Sequence, residues 1–158
     1  MPRSYASAVL NATADDVWSY LRDFGNVAEW MPGVETGVIE DGGPADRIGC
    51  VRRLIGPGDS VFRERLTALD DAGRAYRYEI LECPLPVRDV RGRLRVSPLA
   101  EPVAEPVAGS AAAPGPGRAF VEWSADFSAD AGDELAMGRT LELGIYATGL
   151  EALARRFG

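Results

Sequence analysis

This chain has neither histidine nor lysine; all 17 of its basic residues are arginine. That absence removes the commonest general base, the Ser–His and Cys–His nucleophile systems and most zinc sites. Apart from the α-amine, it also removes Schiff-base chemistry. Asp, Glu, Tyr, Arg, Ser, Thr and Cys remain, and alternation along the chain selects a few of them. From Val61 to Leu69 a period of two places Glu64 on one face with the apolar set Phe62, Leu66 and Ala68. The flanking Arg63 and Arg65 equally fit a solvated cross-strand charge ladder. From Ala75 to Glu82, Tyr76, Tyr78 and Ile80 share a face, opposite Arg77 and Glu79. From Arg118 to Phe127, Phe120, Glu122 and Ser124 oppose Val121 and Trp123; both faces carry bulk, so parity leaves their direction open. Cys50 has no histidine or lysine to activate it and reads as a packed, inert thiol.

Size and charge narrow the setting for such groups. A chain of 158 residues makes one domain, large enough to bury about 70% of its unfolded surface. The net charge of −7, with no basic cluster set apart from acids, argues against a nucleic-acid partner. No apolar run approaches the roughly 18 residues that span a bilayer. The start, Met1-Pro2-Arg3-Ser4-Tyr5, lacks the apolar core of an export signal, and Cys50 and Cys83 are isolated thiols. Both features fit a reducing cytoplasm.

The elements that must hold these groups fall into three parts. Tyr5 to Leu10 reads as a strand, and Thr13 caps a short helix with Asp16 at the answering position. A second short helix, Phe24 to Trp30, stops at Pro32. Alternation then predicts strands over Val34–Glu40, Arg47–Ile55, Val61–Leu69, Ala75–Glu82, Val87 to about Val96, and Arg118–Phe127. In Val87 to Val96 the arginines Arg91, Arg93 and Arg95 should face water, with Val90, Gly92 and Leu94 inward. Pro98 to Gly117, with Glu-Pro-Val-Ala twice, reads as a flexible low-complexity hairpin insertion. Asp133 to Phe157 is a long helix with an apolar stripe of Leu135, Leu143, Tyr146, Leu150, Leu153 and Phe157. Gly144 and Gly149 on it should let a backbone or a ligand approach closely. The order is α+β: a curled seven-stranded antiparallel sheet around the long helix, with two short helices closing one end and a cavity between.

The strings Val17-Trp18…Arg22-Asp23-Phe24-Gly25…Trp30-Met31-Pro32, Gly49-Cys50-Val51-Arg52-Arg53, Arg63-Glu64-Arg65-Leu66, Tyr76…Tyr78-Glu79-Ile80 and Val121-Glu122-Trp123-Ser124 carry a resemblance. With the terminal helix they resemble the START-like, Bet v 1-like (SRPBCC) superfamily of helix-grip proteins, in its polyketide cyclase/dehydrase branch. Plant abscisic acid receptors are similar more distantly. Many relatives carry a histidine where this chain has Met31. The resemblance implies Glu122, Glu35 and Arg52 inward, and loops Ile55–Ser60 and Cys83–Val87 at the cavity mouth with Leu85 as an apolar lid. Glu64, Glu122 and Tyr78 are then the catalytic candidates. The ligand-binding candidates are Glu35, Arg52, Leu54, Phe62, Ile80, Leu85, Val90, Phe120, Leu141, Ile145 and Gly149.

Carboxylates sharing an apolar cavity cannot all ionise cheaply, so one would serve as acid and another as base. Arg52 would fix a ligand oxyanion and Tyr78 would donate to a carbonyl. A buried Glu122–Arg52 pair would equally serve to hold the sheet. The expected activity is a cyclase or dehydratase acting on a hydrophobic polyketide-like or aromatic molecule, without cofactor or metal. The alternative is a non-catalytic hydrophobic-ligand or lipid carrier. A chaperone-activator type of partner-binding module is disfavoured by the Arg91, Arg93 and Arg95 row. The protein is expected as a monomer or homodimer.

Overall fold

The computed structural model describes residues 1–100 and 117–158. The expected insertion over Pro98–Gly117 therefore lies, for residues 101–116, outside the described part. Strand β1 (Arg3–Leu10) leads into α1 (Ala14–Leu21) and α2 (Val27–Trp30). Strands β2 (Thr36–Ile39), β3 (Val51–Ile55), β4 (Val61–Asp70), β5 (Ala75–Glu82), β6 (Arg88–Leu99) and β7 (Arg118–Ser128) follow. They form one curved antiparallel sheet of seven strands in the order β1-β7-β6-β5-β4-β3-β2. The C-terminal helix is built in three consecutive pieces: α3 (Glu134–Arg139), a π-helical stretch Thr140–Ala147, and α4 (Thr148–Arg156). No helix among the described residues is long and apolar enough to cross a membrane.

Local chemistry explains the ends of these elements. Thr13 caps α1, its hydroxyl accepting from the Asp16 amide at 3.1 Å. Trp18 on α1 donates its indole N–H to Asp71 in the β4–β5 turn at 2.8 Å, and Arg22 bonds the same carboxylate. The first short helix is thereby fastened to one end of the sheet. At the other contact, Gly149 of α4 lies under Trp30, Met31 and Trp123; a Cβ there would stand 2.7 Å from Met31 Sδ and 2.9 Å from the Trp123 ring. That is the close approach its glycine predicts.

Two departures from simple periodicity shape the core. The helix was expected to bury Leu135 and Leu143, but these are 73% and 61% exposed, while Leu141, Tyr146, Leu150 and Leu153 are buried. The π-helical stretch is the reason: its wider turns advance the buried face by one extra residue, so a stripe drawn at 3.6 residues per turn misses. In β4 a register shift between Leu66 and Ala68 turns Ala68 to solvent and packs Leu69 against the core. Extra residues of this kind flip the alternation beyond them.

The helix register is open to a direct check. Leu150→Ala should lower stability by about 2–5 kcal/mol, the range for a large-to-small core change. Leu143→Ala, on the solvent side, should stay within about 0.5 kcal/mol of the parent. Urea unfolding measures both, and equal losses would mean the helix presents the other face.

Candidate functional site

The sheet curls around the C-terminal helix and leaves a cavity of about 230 Å³ between them. Leu54 of β3, Phe62 of β4 and Ile80 of β5 form one wall, with Leu141 and Ile145 of the π-helical stretch opposite. Gly33, Val34, Gly56 and Ser60 stand around it from the two loops flanking β2 and β3. Gly58 in the second loop adopts φ 69°, a left-handed turn that suits glycine. Most of this lining is apolar. The polar exceptions are concentrated in two groups.

The first is an ion pair within the sheet. Arg52 of β3 lies directly opposite Glu64 of β4, and its Nε donates to Glu64 Oε1 at 2.7 Å. Arg52 is 1% exposed and Glu64 6%. A second guanidinium nitrogen donates to the Phe24 carbonyl at 3.2 Å, and the group lies 3.8 Å over the Phe24 ring and 5.2 Å from that of Tyr78. Burial pulls the Arg52 guanidinium down, but the Glu64 carboxylate and the oxygens of Tyr76 and Tyr78 outweigh it and hold it above its usual range. Among the described residues, Arg52 is the one side chain that hydrogen-bonds Glu64.

The second group is a pair of phenols. The indole N–H of Trp123 donates to the Tyr78 hydroxyl at 2.8 Å, and the Tyr78 and Tyr146 hydroxyls lie 3.5 Å apart. Trp123 stacks on Tyr146 with ring centroids 4.5 Å apart. Gly92 on β6 makes room for this cluster, since a Cβ there would collide with the Tyr78 ring. Burial raises the pKa of both hydroxyls, helped at Tyr78 by Tyr146 and Glu64. Both phenols are therefore protonated at neutral pH, with O–H groups able to donate to an oxygen brought beside them.

The sequence candidates separate accordingly. Glu64, Tyr78, Arg52, Leu54, Phe62, Ile80, Leu141 and Ile145 all line the cavity. Glu122 does not. On β7 the inward set is Ala119, Val121, Trp123, Ala125 and Phe127, which leaves Phe120 and Glu122 on the convex face. There Glu122 accepts from the Tyr5 hydroxyl at 2.8 Å. The ambiguity of a strand bulky on both sides is settled by the larger indole, which takes the core side. The structural pair considered for Arg52 exists, but its acid is Glu64.

Glu35 is exposed, and it is Val34 beside it that lines the cavity. Leu85 packs against the edge of the core without lining the cavity, so only the first of the two expected mouth loops borders it. Val90 is buried in the core, and Gly149 is spent on the contact with Met31 and Trp123. The cavity residues that sequence reasoning missed are chiefly Tyr146, Trp123, Met31 and Val34. Tyr146 was visible as an apolar-stripe residue, but nothing in the spacing revealed that its hydroxyl meets Tyr78. Cys50 is buried and its thiol is pushed up by burial, which agrees with an inert packing role.

A family model described as polyketide cyclase/dehydrase and lipid transport matches residues 1–158. Among solved structures, the protein XoxI from Bacillus cereus is 27% identical, with a TM-score of 0.78 over 99% of this chain and 96% of its own. A protein from Thermobifida fusca is 25% identical with a TM-score of 0.82, covering 100% of this chain and 94% of its own. The di-domain ARO/CYC protein BexL, from a biosynthetic pathway, is 19% identical with a TM-score of 0.72, covering 98% of this chain and 46% of its own. At that identity the last match speaks for the fold alone.

Two measurements test the polar groups. Arg52→Ala leaves a buried carboxylate without its partner and should cost about 3–5 kcal/mol in urea unfolding, whereas Arg52→Met with Glu64→Leu should cost clearly less. The tyrosines give a pH test. Tyr76, Tyr78 and Tyr146 have folded-state pKa values raised by burial, above the unfolded value of about 10. The stability tied to their neutral forms is therefore complete below about pH 10 and is lost as pH rises beyond it. Tyrosinate absorbance should rise in two stages: Tyr5 and Tyr20 first, the three buried phenols only as the protein unfolds. A single stage with the fold intact would show the hydroxyls to be solvent-accessible.

Proposed function

Because this chain belongs to the polyketide cyclase/dehydrase and lipid transport family, we propose that its cavity receives a small, mostly apolar molecule bearing a carbonyl or phenol oxygen. Glu64 and the Tyr78–Tyr146 phenols then move protons on that molecule in a cyclisation or dehydration. The observation that carries this reading is the placement of one carboxylate among the described residues, Glu64, in the wall of a mostly apolar cavity that two neutral phenols also line. A ligand oxygen beside the phenols would be polarised by their O–H groups, and the enolate formed on proton loss would be stabilised by the same donors. Glu64 would take the proton from the adjoining carbon, and Arg52 keeps that carboxylate oriented. Such chemistry runs on side chains alone.

A second reading, binding without turnover, is favoured by a specific feature of the same site. Glu64 is already held by Arg52 at 2.7 Å, and no second carboxylate lines the cavity among the described residues. An acid–base pair of two carboxylates is therefore lacking, and the phenols must supply the acid. A carrier or sensor would need only the apolar walls and one polar anchor.

Native mass spectrometry of the purified protein should reveal a co-purifying small molecule, and incubation with an excess of that molecule separates the readings. Under the enzymatic reading the parent converts it. Glu64→Gln then binds it within a few-fold but converts it about 10²–10⁴-fold more slowly, the usual worth of a general base. A parent that returns the molecule unaltered is a carrier or sensor, and Glu64→Gln then changes affinity only.

A further inference from the structure

The convex face of the sheet carries its charges in rows across the strands. One row runs Arg65, Glu79, Arg91, Asp126, Arg3 from β4 to β1 and alternates in sign. A neighbouring row sets Arg95 opposite Glu122. Between them lies a row of another kind. Arg77 of β5 stands directly opposite Arg93 of β6, and Arg93 stands opposite Ser124 of β7. Directly opposed side chains on antiparallel strands have Cβ atoms about 4.5–5.5 Å apart, and like charges there repel.

Neither arginine has an acidic partner among the described residues. Of the two acids in the flanking row, Glu79 is already bonded by Arg65 at 2.8 Å, and Asp126 makes no ion pair with either arginine. The Nε of Arg93 is, in addition, buried without any hydrogen-bond acceptor, and it is the only such side-chain atom among the described residues. A buried, uncompensated donor on a cation costs the structure free energy unless an acceptor arrives. Arg77 and Arg93 line a groove with Thr67 and Ser124, whose hydroxyls can add donors, and the alternating row borders it with Arg3, Arg91, Glu79 and Asp126.

We infer that this groove is an oxyanion site, in which a compact phosphate group bridges Arg77 and Arg93 and accepts from the Arg93 Nε. The occupant is small for a reason of charge. Glu79 and Asp126 on one side and Glu122 on the other fence the pair with carboxylates, so an extended anionic surface meets repulsion where a single phosphate does not. The net charge of −7 opposes a lipid bilayer or a nucleic acid in the same way. Two guanidinium groups facing each other match the several oxygens of a phosphate or phosphomonoester. The site lies on the opposite side of the sheet from the cavity and does not depend on what the cavity does.

Calorimetry and thermal unfolding with inorganic phosphate, against chloride at matched ionic strength, test the assignment. The parent should bind phosphate saturably, with an unfolding midpoint that climbs with phosphate concentration. Arg77→Gln and Arg93→Gln should each weaken binding by about tenfold or more, the fold-change expected for one charge-assisted hydrogen bond. Arg95→Gln, outside the groove in the neighbouring row, should bind phosphate as the parent does. Without phosphate, Arg93→Gln should unfold no earlier than the parent, because the repulsion with Arg77 is gone. An Arg93→Gln variant that unfolds earlier and keeps its phosphate affinity would make Arg93 a packing residue and overturn the site. So would a parent indifferent to phosphate. Vesicles containing phosphatidylserine should not bind; their Arg77- and Arg93-dependent capture, without a response to free phosphate, would replace the small oxyanion by a membrane surface.

Discussion

The ion pair between Arg52 and Glu64 is the constraint around which the concave side is arranged. Removing two charges from water is expensive, and their attraction offsets that only with good geometry and further hydrogen bonds. Here the geometry comes from the sheet, which sets the two residues opposite each other on β3 and β4. The further hydrogen bond comes from outside it: Arg52 reaches the Phe24 carbonyl in the segment between α1 and α2. Three separate stretches of chain are thus tied at one guanidinium, and the Phe24 ring beneath it supplies a cation–π contact at 3.8 Å. A purely apolar substitute could fill the same volume, but the cavity would then lose the one carboxylate that lines it among the described residues.

That pair also sets the character of its neighbours. The Tyr76 and Tyr78 rings lie 5.8 and 5.2 Å from the guanidinium, and Phe24 packs edge-on against Tyr76 at 5.5 Å. An aromatic shell of this kind excludes water while presenting its electron-rich faces to the cation. It fixes the Tyr78 hydroxyl where Trp123 and Tyr146 can reach it. The apolar wall of Leu54, Phe62 and Ile80 then surrounds a small polar patch whose every member is held by another. Rigid support is what a site needs if a ligand is to meet the same geometry each time.

Much of this was legible in the sequence, and the exceptions have physical causes. Alternation in β5 and β6 placed Tyr76, Tyr78 and Ile80 inward and Arg91, Arg93 and Arg95 outward, because each strand is apolar on one face only. The capping of α1 by Thr13 and the close contact at Gly149 were legible for equally local reasons. Phe120 and Trp123 compete for the core and periodicity cannot rank them, so Glu122 was placed inward on the resemblance alone, which is the wrong face. The bulge after Leu66 inserts one residue into a count that assumes none. The pairing of Glu64 with Arg52 was not foreseen, since hairpin-length connections make the two strands neighbours without fixing which residues stand opposite each other. The convex-face opposition of Arg77 and Arg93 was hidden for the same reason: each reads as an ordinary exposed arginine until the register is known.

The π-helical stretch from Thr140 to Ala147 has a consequence for how the protein can change over evolutionary time. A π-helical turn holds one residue more than an α-helical turn needs, so it acts as a joint between two otherwise independent rotations. Beyond it, α4 is anchored by Leu150 and Leu153 in the core and by the Gly149 contact. Within it, Leu141, Ile145 and Tyr146 look onto the cavity. Gain or loss of a single residue at the joint would swing the cavity-facing half by about 100° about the helix axis while leaving the anchored half seated. One small lesion in the gene would thereby exchange the whole set of groups the helix offers to a ligand. The same scaffold could change clients in one step, provided the core positions of Leu141 and Tyr146 were refilled by the residues swung into their place.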